Sequence, residues 1–301
     1  DDEETEMPPM AQVAEALGMP TTQNITRRLN FCEWTEQSVR SIDMAQWDHG
    51  AAPIDIAELR GRTCYGGLDL AKVNDLSAFV LLFPPLAGEK PWTVLPWYWC
   101  PKDDIQRRAQ RDRVPYDVWE RQGFIEATPG NTTDYEFIKA RIVGSHRMEA
   151  DTAGLRTCLF CHAGTDVATA GSRCPQNPGL AGQYDIRLIG FDRTFGGEII
   201  QVLQAEMGAD RLVEFGQGFL SMAAPTAEIL RQVIAGELRH GGHPVLRWNA
   251  SNLSCATDAA GNLKPDKERS AERIDGFTAL CNARGVAQDA PQSGAVGVGL
   301  L

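Results

Sequence analysis

The sequence predicts an α/β domain: a mixed β-sheet, an antiparallel meander followed by parallel strands, with helices on both faces. Three observations carry that expectation. Three apolar runs follow one another between residues 64 and 100 with short connections, the pattern of a meander. Beyond residue 184, short apolar runs alternate with helix-like stretches, as in parallel β–α units. Proline, aspartate and glycine punctuate the boundaries at the positions helices favour.

The elements follow in order. CYGGLDL (64–70), SAFVLLF (77–83) and WTVLPWYWC (92–100) read as three strands. Pro101, Asp103 and Asp104 start a helix running through Arg111, and Pro115 starts a second through Gln122. Thr132 and Asp134 cap a third over 135–143. IRLIGFD (186–192) is nearly all apolar, as a buried parallel strand should be. GEIIQVLQAEMG (197–208) is a helix stopped by Gly208, and RLVEFGQG begins with a strand. A helix near 225–238, a strand PVLRW at 244–248 and a last helix at 270–283 complete the domain.

These elements divide the chain into a lead-in arm (1–62), a main domain (63–290) interrupted by an insertion at about 145–183, and a tail (291–301). In the arm, MAQVAEALGMP suggests a short amphipathic helix, and Trp34 and Trp47 suggest docking on the domain. The insertion is rich in Gly, Ala, Thr and Cys and lacks periodicity. A loop of that length inside a domain is functional or mobile.

The chain has 301 residues, 43% hydrophobic and 23% charged, enough for a substantial core. No run approaches the ~18 apolar residues of a membrane span, and the acidic start DDEETEMPPM is unlike a secretory signal, so the expectation is a soluble, intracellular chain. Its net charge of -11 argues against tight unaided nucleic-acid binding. Part of that charge sits in the opening acidic run, and carboxylates that hold cations account for more.

Asp69 and Asp192 each end an apolar strand, and Asp275 sits between Ile274 and Phe277 on a turn expected to face inward, mid-helix. Burying such a carboxylate is costly unless it is paired, hydrogen-bonded or metal-bound. Adjacent strand ends and one packed helix could bring all three together as hard oxygen ligands for Mg²⁺ or Mn²⁺. Two such ions ~4 Å apart promote phosphodiester hydrolysis. An Asp at a strand end also serves as a cap or turn residue, and spacing alone leaves that reading open.

Five segments in register narrow the choice: YGGLDLAKVNDLSAFVLLF (65–83), VPYDVWERQGFIEATPGNTTDY (114–135), YDIRLIGFDR (184–193), LRHGGHPVLRWNASN (238–252) and GNLKPDKERSAERIDGFTALCNA (261–283). Together they resemble the large terminase subunit of tailed bacteriophages, from about Asn24 to Ala287 apart from the insertion. The resemblance implies a ribonuclease H-like nuclease domain, with Asp69, Asp192 and Asp275 as metal ligands for two Mg²⁺ or Mn²⁺ ions. Asp75 is a weaker candidate ligand, with a turn role as its alternative.

The same resemblance implies cutting of concatemeric double-stranded viral DNA during genome packaging, in the host cytoplasm at the procapsid portal. The implied partners are the DNA, the portal protein, the small terminase subunit and a packaging ATPase domain. The chain itself has no G-x-x-x-x-G-K-[ST] phosphate loop. A different ribonuclease H-like nuclease such as a junction resolvase, or a non-cutting portal and DNA docking module, are the alternatives.

Arg247, Lys264, Lys267, Arg269 and Arg273 are candidate DNA-phosphate contacts, with Arg239, His240 and His243 nearby in sequence. Within the insertion, Cys158-x2-Cys161 and Cys174 supply soft ligands for zinc. His162 would be the fourth ligand from an awkward position beside Cys161, with His146 as another partner. A mobile insertion carrying free thiols is the simpler expectation.

Overall fold

The run Ser77–Phe83 is buried at every position, which requires covering layers on both of its sides. The computed structural model describes residues 41–71, 76–103, 105–150, 156–161, 174–192 and 197–289. The first elements are helices α1 (Met44–Asp48) and α2 (Ile56–Leu59), then strands β1 (Thr63–Asp69), β2 (Ser77–Phe83) and β3 (Trp92–Pro101). Helices α3 (Ile105–Asp112) and α4 (Tyr116–Arg121), strand β4 (Glu126–Thr128) and helix α5 (Tyr135–Val143) follow. Strands β5 (Met148–Ala150) and β6 (Arg156–Cys158), helix α6 (Leu180–Gln183), β7 (Asp185–Phe191), α7 (Gly197–Met207) and β8 (Leu212–Glu214) come next. The chain continues through α8 (Phe219–Ile234), β9 (Leu238–Arg239), α9 (Pro244–Asn252), β10 (Cys255–Thr257), β11 (Leu263–Pro265) and α10 (Asp275–Asp289).

The main sheet runs β4-β3-β2-β1-β7-β8, with β9 beside β3. β1, β2 and β3 are antiparallel neighbours, and β1, β7 and β8 are parallel ones. This is the mixed sheet that the sequence predicts, an antiparallel meander joined to parallel strands. Alternation along β2 sorts the two layers. Ala78, Val80 and Leu82 pack with residues of α8, α9 and α10, while Phe79, Leu81 and Phe83 pack with α5, α6 and α7.

Three elements differ from expectation. The helix expected near 225–238 is Phe219–Ile234. Pro244–Asn252 is a helix, where the apolar run 244–248 predicts a strand. The His243 imidazole accepts from Leu246 N at 3.4 Å, and Pro244 takes the first turn, where a missing N–H costs nothing. Val245, Leu246 and Ala250 then reach the core at helical spacing. The last helix begins at Asp275 rather than 270, so Asp275 lies in its first turn and not mid-helix.

The insertion is not structureless throughout. β5 and β6 pair antiparallel, with Met148 opposite Cys158. Phe160 stacks near Phe137 of α5 with ring centroids 5.1 Å apart, and Arg147 reaches back to the α5 N-cap Asp134 at 2.6 Å. In the arm, Ile42 and Trp47 belong to the core. Trp34, the expected helix near residues 10–20 and Asp75 lie outside the described residues.

Candidate active site

Two glycines let a helix lie directly on the sheet, and that approach delivers one carboxylate to another. A Cβ on Gly67 would sit 1.8 Å from Ala279 O and 2.6 Å from Ala283 N of α10. One on Gly190 of β7 would sit 2.8 Å from Asn282 O. Only residues without a side chain permit that contact. Four residues of helix and two of strand each cover ~6 Å. Asp275, four residues before Ala279, therefore comes level with Asp69, two residues beyond Gly67. Leu68 pairs with Phe191, so Asp69 and Asp192 follow side by side at the ends of parallel strands.

The start of α10 is held by a buried amide. Asn249 Oδ1 accepts from Gly276 N at 3.0 Å and from the Tyr98 hydroxyl at 2.9 Å, while its Nδ2 donates to Arg273 O at 2.9 Å. Further along the helix, Asn282 Nδ2 donates to Leu68 O at 3.1 Å, tying α10 to β1 next to Asp69.

Asp69 and Asp275 are almost fully buried, at 4% and 3% exposure, whereas Asp192 is partly exposed. The Lys267 ammonium bridges the buried pair, 2.8 Å from Asp69 Oδ2 and 2.9 Å from Asp275 Oδ1. Its stem is half-exposed while its head is enclosed between the two carboxylates. Burial pushes the Asp69 carboxyl up; Lys267 opposes this, Asp275 and Asp192 add to it, and the group rests at about 6. Burial alone would lower the Lys267 ammonium, but the carboxylates of Asp69 and Asp275 outweigh it and raise it.

Asp275 Oδ2 is buried without a hydrogen-bond partner among the described residues. A buried, unmatched carboxylate oxygen in a cluster of three acids fits a hard divalent cation, which would supply the missing partner. A cavity of about 420 Å³ bounded by Trp97, Tyr184 and His243 lies elsewhere, and none of the three carboxylates lines it.

The family model for the terminase large subunit, endonuclease domain, matches residues 8–149 and 180–290. The chain belongs to this terminase endonuclease-domain family. The large terminase subunit of Enterobacteria phage HK97 is 33% identical over 283 residues, covering 92% of this chain and 47% of the phage protein. The crystal structure of the HK97 large terminase aligns with a TM-score of 0.63 at 32% identity, over 92% of this chain and 49% of that one. Protein YmfN of Escherichia coli strain K12 is 21% identical over 269 residues, covering 86% of this chain and 50% of YmfN. The chain spans about half the length of these relatives.

In this terminase-family chain, the basic residues singled out from sequence are widely dispersed in role. Lys267 sits in the carboxylate cluster. Arg273 is mostly buried, donating to the Tyr116 hydroxyl at 3.1 Å and pairing with Asp112 at 3.2 Å. Arg247 makes a two-pronged pair with Asp48, both contacts at 2.8 Å. Lys264 lies over the Phe219 ring, 5.5 Å from its centroid, and Arg269 is largely exposed beside Asp266. His240 is buried and stacked on Trp47, with Nε2 2.8 Å from Trp47 O, while His243 caps α9. Sequence reasoning missed Lys267 as a carboxylate partner and Asn249 as the anchor of α10. The segment DKERS resembles a solvated face, and nothing local to it shows an acid 198 residues away.

In the insertion, Cys158, Cys161 and Cys174 do come together. The ring beside them is that of His146; His162 lies outside the described residues.

Proposed function

We propose that this chain is a metal-dependent DNA endonuclease that cuts concatemeric double-stranded viral DNA during genome packaging. What supports the reading is the pairing of buried Asp69 and Asp275 around Lys267, with Asp192 following Phe191 on the strand next to Asp69, in a chain of the terminase endonuclease-domain family. These three carboxylates would hold two Mg²⁺ or Mn²⁺ ions. Divalent cations bound there supply Lewis-acid stabilisation of the charge that builds on the phosphodiester.

The protein's own part is preorganisation. Gly67, Gly190 and Asn249 fix the strand ends and the first turn of α10, which sets Asp69 and Asp275 on either side of Lys267, the cation a divalent ion would have to displace. Burial of Asp69 and Asp275 keeps water from screening them, and the more exposed Asp192 marks the side open to substrate. Lys267 neutralises the buried pair, and the negative cluster is thereby tolerated in the fold. Arg269 and Lys264 are candidate phosphate contacts. The DNA, the portal protein, the small terminase subunit and the packaging ATPase domain are the partners this reading implies, at the procapsid portal in the host cytoplasm.

Supercoiled plasmid incubated with the chain and Mg²⁺ or Mn²⁺ tests the proposal. The parent should nick and linearise it, EDTA should stop the reaction, and Asp69→Ala or Asp192→Ala should slow it by ~100-fold or more, since even outer-shell partners of metals are worth 10–100-fold. Equal nicking by parent and variants would remove the assigned site. Binding without cutting by the parent would favour a docking module.

A further inference from the structure

The insertion brings together four soft-metal ligands that the carboxylate site does not use. The sulfurs of Cys158, Cys161 and Cys174 and a ring nitrogen of His146 all lie within 4.8 Å of one another. Cys158 and Cys174 sulfurs are 4.0 Å apart, and Cys161 Sγ is 3.6 Å from His146 Nδ1. Zinc bonds of ~2.0–2.3 Å at tetrahedral angles set ligand atoms ~3.3–3.8 Å apart, so the four already stand near the right separation. A disulfide would need ~2.05 Å, and the four cysteines outside the insertion that the structure describes, Cys64, Cys100, Cys255 and Cys281, are each buried without such company.

We infer that Cys158, Cys161, Cys174 and His146 form a structural zinc site that fastens the insertion to the domain. The backbone builds it from three directions. Cys158-x2-Cys161 spans the turn after β6. β5–β6 pairing sets Met148 opposite Cys158 and so carries His146, two residues before Met148, to the same end of the hairpin. Cys174 is brought in by its N–H to Gly144 O, 2.9 Å, at the end of α5.

The surroundings supply a need for the metal. Among the described residues the local core consists of Met148, Cys158 and Cys174, with Phe160 and Cys161 packed against it, little apolar surface to hold a subdomain. Structural zinc supplies folding energy to such units. The three cysteines fall in residues 150–179, between the two stretches that the family model matches, while His146 lies just inside the first stretch, so the site would tie this chain's insertion to the edge of the matched domain. Binding exchanges thiol protons for zinc and involves no change of oxidation state.

The test uses the whole chain, expressed with zinc and purified without chelator or a histidine tag, and metal analysis by mass spectrometry. One zinc per chain is expected, retained in an Asp69→Ala, Asp192→Ala double variant, which separates this site from the carboxylates. His146→Ala and Cys174→Ser should each lose at least ten-fold in zinc affinity, while His162→Ala should retain full zinc. Cobalt substituted into the parent should give the intense visible bands of a tetrahedral thiolate site, a readout that does not depend on any variant folding. A parent free of zinc that, after anaerobic reduction, also fails to take up zinc or show those cobalt bands would overturn the inference. So would full zinc in His146→Ala, or a Cys158–Cys174 disulfide mapped in freshly purified protein.

Discussion

The Lys267 ammonium lies 2.8 Å from Asp69 Oδ2, on the face of the carboxylate that Asp275 shares. A lysine therefore sits where two acids converge, and it is the cation that balances them in the structure. Charge balance in this cluster is then a matter of competition between Lys267 and any divalent ion the acids take up.

Replacing Lys267 with methionine keeps the stem and removes the charge. In EDTA the variant should be destabilised by ~1–3 kcal/mol, less than the 3–5 typical of breaking a fully buried pair because the lysine is half-exposed. Mg²⁺ should raise its melting temperature more than the parent's, since the ion then supplies the whole compensation. Thermal unfolding of both proteins with and without Mg²⁺ measures this; equal melting in EDTA would show that Lys267 carries no weight.

Asp69 gives the cluster a pH signature. Its carboxyl rests at about 6 in the fold, against ~3.9 for an unfolded aspartate. Between those values the folded chain holds a proton that the unfolded chain has released. Stability from this group is therefore present at low pH and lost as pH rises from ~4 through about 6, by ~2–3 kcal/mol at most. Glu228, held down to about 2 by Arg231 against its burial, works in the opposite sense, losing its stabilisation as pH falls. The difference between parent and Asp69→Asn isolates the first effect. In EDTA, urea unfolding from pH 4 to 7 should show the parent losing ground to the variant as pH rises; parallel curves would remove the prediction.

The close approach of α10 to the sheet links stability with the site. Gly67→Ala would put a Cβ against the backbone of Ala279 and Ala283, which can yield only if the whole helix shifts. A cost of ~1–3 kcal/mol or more is expected, as for overpacked cores. Because the shift carries Asp275 away from Asp69, plasmid nicking should fall more steeply than the folded fraction. Gly218→Ala, where a Cβ meets nothing within 4 Å among the described residues, is the control and should change neither.

How much of this was legible in the sequence depends on the range of the cause. Strands β1, β2, β3 and β7 are read from apolar runs, because a strand buried on both faces has no alternative composition. Asp69 and Asp192 stand out for the same reason, as acids closing those runs. Asp275 was visible as a candidate, but its place in the first turn was not: SAERI before it has helical composition, and the helix start is set by Asn249, 27 residues away, through Gly276. The segment 244–248 is short and apolar, so run length favoured a strand, although His243–Pro244 was a helix-start signal that could have decided it. Cys158-x2-Cys161 was plain by spacing, whereas His146 joins it only through the β5–β6 hairpin, whose strands are three residues each.

Asn249 is the least conspicuous of the residues that hold the carboxylates, and its removal should be costly. It is fully buried, and its Oδ1 accepts two donors, the Tyr98 hydroxyl and the Gly276 amide. Asn249→Ala strands both. Arg273 O, which Asn249 Nδ2 also serves, keeps a second donor in Asn252 Nδ2 at 3.3 Å, so the loss is confined to the side that faces α10. Two unmet buried donors at ~1–3 kcal/mol each suggest a loss of ~2–4 kcal/mol after some relaxation. Asn249→Asp keeps an oxygen that accepts from both donors but loses the Nδ2 donor and buries a further charge near Asp275, so it should not rescue stability at neutral pH. If that charge is the obstacle, acidification towards pH 5 should narrow the gap between Asn249→Asp and the parent while leaving Asn249→Ala unchanged. Chemical unfolding of the three proteins at the two pH values checks the ordering, and a variant Asn249→Ala as stable as the parent would mean that the start of α10 is held by packing alone.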